Sequence, residues 1–250
     1  MKIAISQPAF LPWLGYFDLI DQVDVFVILD SVQFEKRSWQ QRNRIKTLNG
    51  LQWLTVPVLV QGRFEQLIQD VKIENRDCLR KHLRTLEHNY RRAPWFEMYF
   101  AQINGIFASV VHDLRLADLN VRIIEWIMDC LGIRTLLRKS SELGCAGKRS
   151  QLLVNICETL GAGSYLSPIG SAGYLLAELN LFEEQNIEVS FQNYEHPQYR
   201  QQFGEFIPYA SVLDLLFNEG EHAGQIVRSG RRAPFPPAEV ASMTGSTEKA

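Results

Sequence analysis

The stretch Lys2-Ile3-Ala4-Ile5-Ser6-Gln7-Pro8, followed by Phe17–Val23 and then Val25-Phe26-Val27-Ile28-Leu29-Asp30, decides the fold class. A short alternating apolar run stops at Pro8, helical spacing follows, and a β-branched run closes between Asp24 and Asp30. Strand, loop, helix and strand in so few residues form the opening of a parallel α/β unit, because a parallel strand pair needs a crossover.

Further along the chain, Trp53–Val58 is strand-like, with Pro57 suited to an edge or strand end. Asp77–Arg92, Trp95–Val111 and Leu116–Leu131 repeat apolar residues every three or four positions, and Gly132 stands where a helix C-terminus needs a left-handed residue. Ile133–Leu137 is then strand-like, Ser150–Leu160 is an amphipathic helix stopped by Gly161, and Ser164–Ser167 and Ile187–Phe191 are short strands around a helix near Gly173–Glu184. Tyr209–Asn218 is a last helix, with Ser211 or its neighbour as its cap. The expected fold is α/β, with a mostly parallel Rossmann-like sheet and a central helical insertion at about residues 77–131. It is expected as one domain over residues 1–228. From 229 to 250 the periodicity ends in Pro, Ala, Ser, Thr and Gly, and a disordered tail is expected.

The chain has 250 residues, 46% of them hydrophobic and 22% charged, so a large core is affordable and disorder is excluded as the dominant state. With 26 basic and 28 acidic residues it carries no general basic coat, and nucleic acid is not the expected partner. Val25–Leu29 is the clearest apolar run, far short of the roughly 18 residues of a membrane span, and nothing at the N-terminus has the form of a signal peptide. Cys78, Cys130, Cys145 and Cys157 stand far apart without zinc spacing, so reduced thiols, no metal site and a cytoplasmic location are expected.

Four stretches could carry chemistry. In Gln7–Phe17, two prolines stiffen the segment after the first strand while Phe10, Trp13, Tyr16 and Phe17 crowd it with rings. These rings either plug the core or form a ligand rim at the carboxyl end of the strand. In Glu35–Lys46, five basic residues against one acid give a net +4, and Arg42, Asn43 and Lys46 beside Trp39 suit a phosphate and a stacked base or sugar. A solvated basic loop is the alternative.

Between strand and helix, Ser140–Ser150 lacks P-loop spacing, yet Lys148 beside a helix N-terminus would attract an anion. The similar segment after Ser167 has small residues that admit a ligand to the backbone, although both loops equally suit plain turns. Finally, Glu195–Phe206 holds His196 and Tyr199 in a loop. His82 and His88 fall on a polar helix face, His112 near a helix end and His222 near the C-terminus, which leaves His196 as the candidate general base. A histidine bonded to its local backbone is the competing reading. Asp30, at the end of the second strand, is the other candidate catalytic residue.

The first-strand turn resembles that of the nucleotidylyltransferase-like fold. Trp13-Leu14-Gly15-Tyr16 occupies the place of its HxGH turn without either histidine, so only the topology is carried over. In order, Gln7-Pro8, Pro12-Trp13-Leu14-Gly15-Tyr16-Phe17, Asp30-Ser31-Val32-Gln33-Phe34, Ser38-Trp39, Arg42-Asn43-Arg44-Ile45-Lys46, Tyr165-Leu166-Ser167, His196-Pro197 and Ser211 with Asp214–Asn218 resemble the WbqC-like protein family. The similarity covers about residues 1–228, and Pro168 departs from the glycine expected after Ser167. The resemblance implies a place in bacterial O-antigen and other surface-polysaccharide synthesis. It names no cofactor.

The expectation is therefore an enzyme modifying a nucleotide-linked sugar, by acyl or aminoacyl transfer to a sugar amine. Alternatives are a nucleotide-sugar binding or assembly protein, or a nucleotidyl or glycosyl transferase. Arg42, Asn43, Lys46 and Lys148 would hold pyrophosphate, while Gln7, Trp13, Tyr16, Trp39, Ser167 and Tyr199 would line the site. His196 would take the proton.

Overall fold

Strands of four or five residues, apolar on both faces, need cover on both sides, and the chain supplies it. The structure, a computed structural model, describes residues 1–109 and 115–247. His112 and the end of the helix expected up to Val111 lie outside the described residues.

Two of the strands are antiparallel, β3 (Arg42–Thr47) and β4 (Gly50–Thr55), and form a separate hairpin. The remaining five, β1 (Lys2–Ser6), β2 (Val25–Ile28), β5 (Leu136–Lys139), β6 (Ser164–Ser167) and β7 (Glu188–Phe191), form one parallel sheet in the order β5-β2-β1-β6-β7. Ile3 pairs with Val25 and Ser6 with Ile28 in the register of β1 and β2. The pleat splits these strands between two cores. Ile3, Ile5, Val25 and Val27 face a cluster with Leu153, Tyr165 and Phe182, while Ala4, Phe26 and Ile28 face the larger one.

The helices over the larger core are α1 (Leu14–Asp21), α2 (Asp77–Tyr90), α3 (Phe96–Ala108), α4 (Leu116–Leu131), α8 (Val212–Glu219) and α9 (Ala223–Ser229). Over the smaller core lie α5 (Arg149–Leu160), the short α6 (Ala172–Leu175) and α7 (Asn180–Glu183), and α10 (Pro237–Thr247). The caps follow local chemistry. Gly132 and Gly161 close α4 and α5 at φ 68° and 66°, and the Ser211 hydroxyl accepts a hydrogen bond from the Leu213 amide at the start of α8. The helix expected near Gly173–Glu184 is instead broken, with a 3₁₀ turn at Leu176–Glu178 between α6 and α7. Among the described residues, no helix is long and apolar enough to cross a membrane.

Three sequence expectations need correction. The basic stretch from Arg42 is no loop: it is β3, paired residue by residue with β4 from Arg42–Thr55 to Thr47–Gly50. Its charged side chains hide a pleat, because Arg42 and Arg44 alternate with buried Asn43 and Ile45. His82 does not lie on a polar face of α2; it is buried, with Nε2 3.0 Å from the Thr55 carbonyl.

The segment from 229 onward, expected as a disordered tail, is tied down over its described length. Phe235 pairs with Phe191, Tyr194 with Arg231, and Val240 enters the smaller core. Its anchors are long-range ion pairs, two β-bridges and one core residue, which carry no local periodicity.

Candidate functional site

In the order β5-β2-β1-β6-β7, the direction in which successive strands are added reverses between β1 and β6 while the strands themselves stay parallel, and open α/β sheets bind ligands outside the carboxyl ends of their strands at that point. A cavity of about 520 Å³ lies there. Ser6 and Gln7 at the end of β1 form part of its wall, as do Pro168, Ile169 and Gly170 after β6, and Gln192 after β7.

The loop between β1 and α1 is stitched into place by amides. Asn43, 2% exposed, donates through Nδ2 to the carbonyls of Phe10 (3.2 Å) and Leu11 (2.7 Å). Leu11 has a φ of 45°, a left-handed conformation that these bonds help to hold. Asn120 of α4 donates to the carbonyls of Pro8 (3.0 Å) and Gln40 (2.8 Å). The Tyr16 hydroxyl donates to the Gln7 carbonyl at 3.1 Å, and burial holds its pKa well above the usual tyrosine value.

Trp13 folds back over Gly15, where a Cβ would meet the indole at 2.1 Å. The ring is boxed in by Tyr194 at 5.6 Å, Tyr209 at 5.5 Å and a stacked His196 at 6.1 Å, so it has no room to yield.

Two residues that line the cavity carry a buried polar atom without a protein partner. Gln40 donates through Nε2 to Gln7 Oε1 at 2.8 Å, but its own Oε1 is unpaired; so is the Nε of Arg44. Buried polar groups are nearly always bonded, and these two wall residues carry exceptions of complementary kind, a donor on Arg44 and an acceptor on Gln40. Arg44 and Glu35 are the charged residues among those lining the cavity. The Arg44 guanidinium lies 5.5 Å from the rings of both Trp39 and Trp53.

Of the residues expected to form the site, Gln7, Trp13, Tyr16, Trp39 and Asn43 line this cavity. The others stand elsewhere. Arg42 lies 4.3 Å over the Trp53 ring. Lys46 is buried, and its ammonium donates to the Glu205 carbonyl. Desolvation lowers its pKa, against the opposing charge of Asp214. Tyr199 donates to Asp214 Oδ2 at 2.8 Å, and Tyr90 to Oδ1 at 2.8 Å, so both Tyr199 and Lys46 belong to a buried network between α2, α8 and the hairpin. Lys148 is exposed just before α5. Ser167 is wholly buried, with its hydroxyl on the Pro168 carbonyl at 3.2 Å.

Asp30 is a clasp between β2 and β5. Its carboxylate accepts from the Ser140 hydroxyl (3.0 Å), the Ser141 amide (2.9 Å) and the Ser141 hydroxyl (2.8 Å). His196 stacks behind Trp13 rather than on the cavity wall. Its Nδ1 lies 2.9 Å from the Pro197 carbonyl, its Nε2 is buried without a partner, and burial lowers its pKa. Of the three cations of β3, Arg44 lines the cavity, whereas Arg42 and Lys46, expected there from the sequence, do not.

Residues 7–226 match the WbqC-like protein family. The chain belongs to that family. It is also 40% identical over 232 residues to a protein of Mycobacterium tuberculosis whose name is Uncharacterized protein Rv1507c; the match spans 92% of this chain and 99% of the relative. No solved structure matches the chain significantly. The WbqC-like match takes in the β1–α1 loop, the β3–β4 hairpin and Gln192, and so all of the cavity wall from Gln7 onward.

Sequence reasoning overlooked Gln40, Arg44, Glu35, Tyr209 and Gln192. Arg44 carried a usable signal, since it shares a pleat face with Arg42 and pairs with Trp53 in the β3–β4 register. Gln192 stands one residue beyond β7, at a carboxyl end where such sheets bind ligands.

Proposed function

We propose that this WbqC-like protein binds a nucleotide-linked sugar in the cavity at the switch point, and transfers an acyl or aminoacyl group to an amine of that sugar during cytoplasmic steps of surface-polysaccharide synthesis. The observation that carries the binding half is the pair of unpaired polar atoms, Gln40 Oε1 and Arg44 Nε, on residues lining one aromatic-walled cavity. A phosphate oxygen satisfies the guanidinium in the charge-assisted geometry that arginine favours. A hydroxyl or amine of the sugar satisfies the amide oxygen. Trp13, Trp39 and Tyr209 offer flat faces for a base or a sugar ring.

In the transfer, the sugar nitrogen bonds to the acyl carbon, the bond from that carbon to its donor breaks, and the amine releases a proton. Glu35, exposed on the cavity wall, is the carboxylate available to take that proton. His196 acts on the site through the ring of Trp13.

Mass spectrometry of a panel of nucleotide-diphosphate sugars, incubated with purified protein and activated acyl or aminoacyl donors, tests this directly. The expected result is a product heavier by the transferred group, formed about 10²–10⁴-fold more slowly by Glu35→Gln. Saturable nucleotide-sugar binding with no product under any donor contradicts the transfer. It favours instead a binding or assembly role.

A further inference from the structure

Gln192 continues the pairing of β6 and β7, its backbone amide donating to the Ser167 carbonyl at 2.8 Å. Its side chain lines the cavity but is held from behind. Nε2 donates to the Gly15 carbonyl at 2.8 Å and to Asp18 Oδ2 at 2.9 Å. Both amide protons are spent, which fixes the orientation of the amide and leaves Oε1 as an acceptor.

Asp18 is wholly buried and is itself gripped. Oδ2 also accepts from Gln22 Nε2 at 2.7 Å, and Oδ1 accepts from Arg231 Nε at 2.8 Å. Arg231 lies beyond residue 226, where the family match ends, and it is steadied by Asp21 at 2.5 Å and by the bridge to Tyr194. A line of hydrogen bonds therefore runs from the C-terminal segment through α1 to the cavity wall.

We propose that Gln192 Oε1 is the specificity-determining acceptor for a hydroxyl or uncharged amino group on the sugar portion of the ligand, and that Arg231, through Asp18, is its positioning residue. The assignment rests on the nucleotide-sugar reading of the cavity. An amide oxygen repels phosphate oxygens, which assigns Gln192 to the sugar and leaves Arg44 for the phosphate. Glutamate cannot replace it, because a second carboxylate would then face Asp18 in a buried site. Methionine or leucine would leave Asp18 one donor short.

Isothermal titration of the tightest-binding nucleotide-diphosphate sugar, and of the same nucleotide diphosphate without its sugar, separates the possibilities. Gln192→Leu is expected to weaken the sugar-bearing probe about 10-fold or more and to leave the sugar-free probe within about twofold. Arg231→Gln, which touches no cavity atom, is expected to shift the same ratio in the same direction. If Gln192→Leu fails to fold, Gln192→Asn keeps the amide but withdraws it, and the same loss is expected. Equal weakening of both probes, or an unchanged ratio, overturns the assignment of Gln192. An unchanged ratio in Arg231→Gln alone overturns the relay. A wild-type protein that binds neither probe overturns the nucleotide-sugar reading itself.

Discussion

Arg44 and Lys46 stand two residues apart on one strand, on the same side of the pleat, yet only Arg44 lines the cavity. Trp39 and Trp53 keep the Arg44 guanidinium at the wall, whereas Lys46 runs under the loop that contains Glu205. Arg44→Ala should weaken nucleotide-sugar binding by about 1.5–3 kcal/mol, the range for a hydrogen bond to a charged group, while Lys148→Ala should leave it unchanged. Titration calorimetry of the two variants checks both. Asn43 is a different kind of residue. It faces the cavity loop but spends its amide on Phe10 and Leu11, so Asn43→Ala should cost about 2–3 kcal/mol in urea unfolding, from two orphaned buried carbonyls. A net charge of +4 over Glu35–Lys46 was readable from sequence; which of its cations meets a ligand was not. That depended on Trp53, a partner supplied by the opposite strand of the hairpin.

At the scale of elements, the features set by neighbours in the chain were legible and those set by distant partners were not. Gly132, Gly161 and Ser211 announced their helix ends because capping is local chemistry. The β1–α1 loop announced its aromatics, but their division of labour needed the fold: Phe10 and Phe17 are core, while Trp13 and Tyr16 reach the cavity. Gly15 explains that division, since the indole of Trp13 lies where any side chain at 15 would stand. Gly15→Ala should force Trp13 out only together with the rings that box it, changing its intrinsic fluorescence and ligand affinity; an unchanged emission spectrum and affinity would refute the packing argument.

The C-terminal segment gave no periodic signal because distant partners hold it: Arg231 on Asp18 and Asp21 beside Arg228 of α9 on Asp21, two β-bridges to β7 and the residues after it, and Val240 in the smaller core. Burial pushes the Asp21 carboxyl up, but its bonds to those two arginines outweigh this and hold it below 3.8. Truncation after Ser229 removes Arg231 and leaves Asp18 buried without its cation, at a cost of about 3–5 kcal/mol in a thermal or urea melt.

For the whole molecule, the parallel sheet in the order β5-β2-β1-β6-β7, with the hairpin and the segment before α8, brings five segments separated in sequence to one crevice. The sheet strands and most helices could be read from periodicity, but strand order could not, and the crevice is a consequence of that order. The helical block is joined to the hairpin by a titratable contact. His82 of α2 binds the Thr55 carbonyl, and desolvation lowers its pKa from 6.5 to about 4. The unfolded chain then binds the proton before the native one does, so the neutral ring's contribution is complete above pH 6.5 and is lost as pH falls toward 4. Burial shifts His196 in the same direction. Urea midpoints should therefore fall from pH 6.5 to pH 5 by the equivalent of about 2 kcal/mol for His82 alone, and His82→Gln should flatten that slope.

The central claim is that the switch-point cavity is the ligand site, with Arg44 and Gln40 as its two unsatisfied contacts. Titration calorimetry of uridine-, guanosine-, cytidine- and thymidine-diphosphate sugars into the wild-type chain and into Arg44→Ala and Gln40→Leu tests it most directly. The account predicts saturable binding of at least one of them at one site per chain, weakened about 10-fold or more by each substitution in a folded variant. Binding that neither substitution changes, or no binding by any of the four classes, would contradict it.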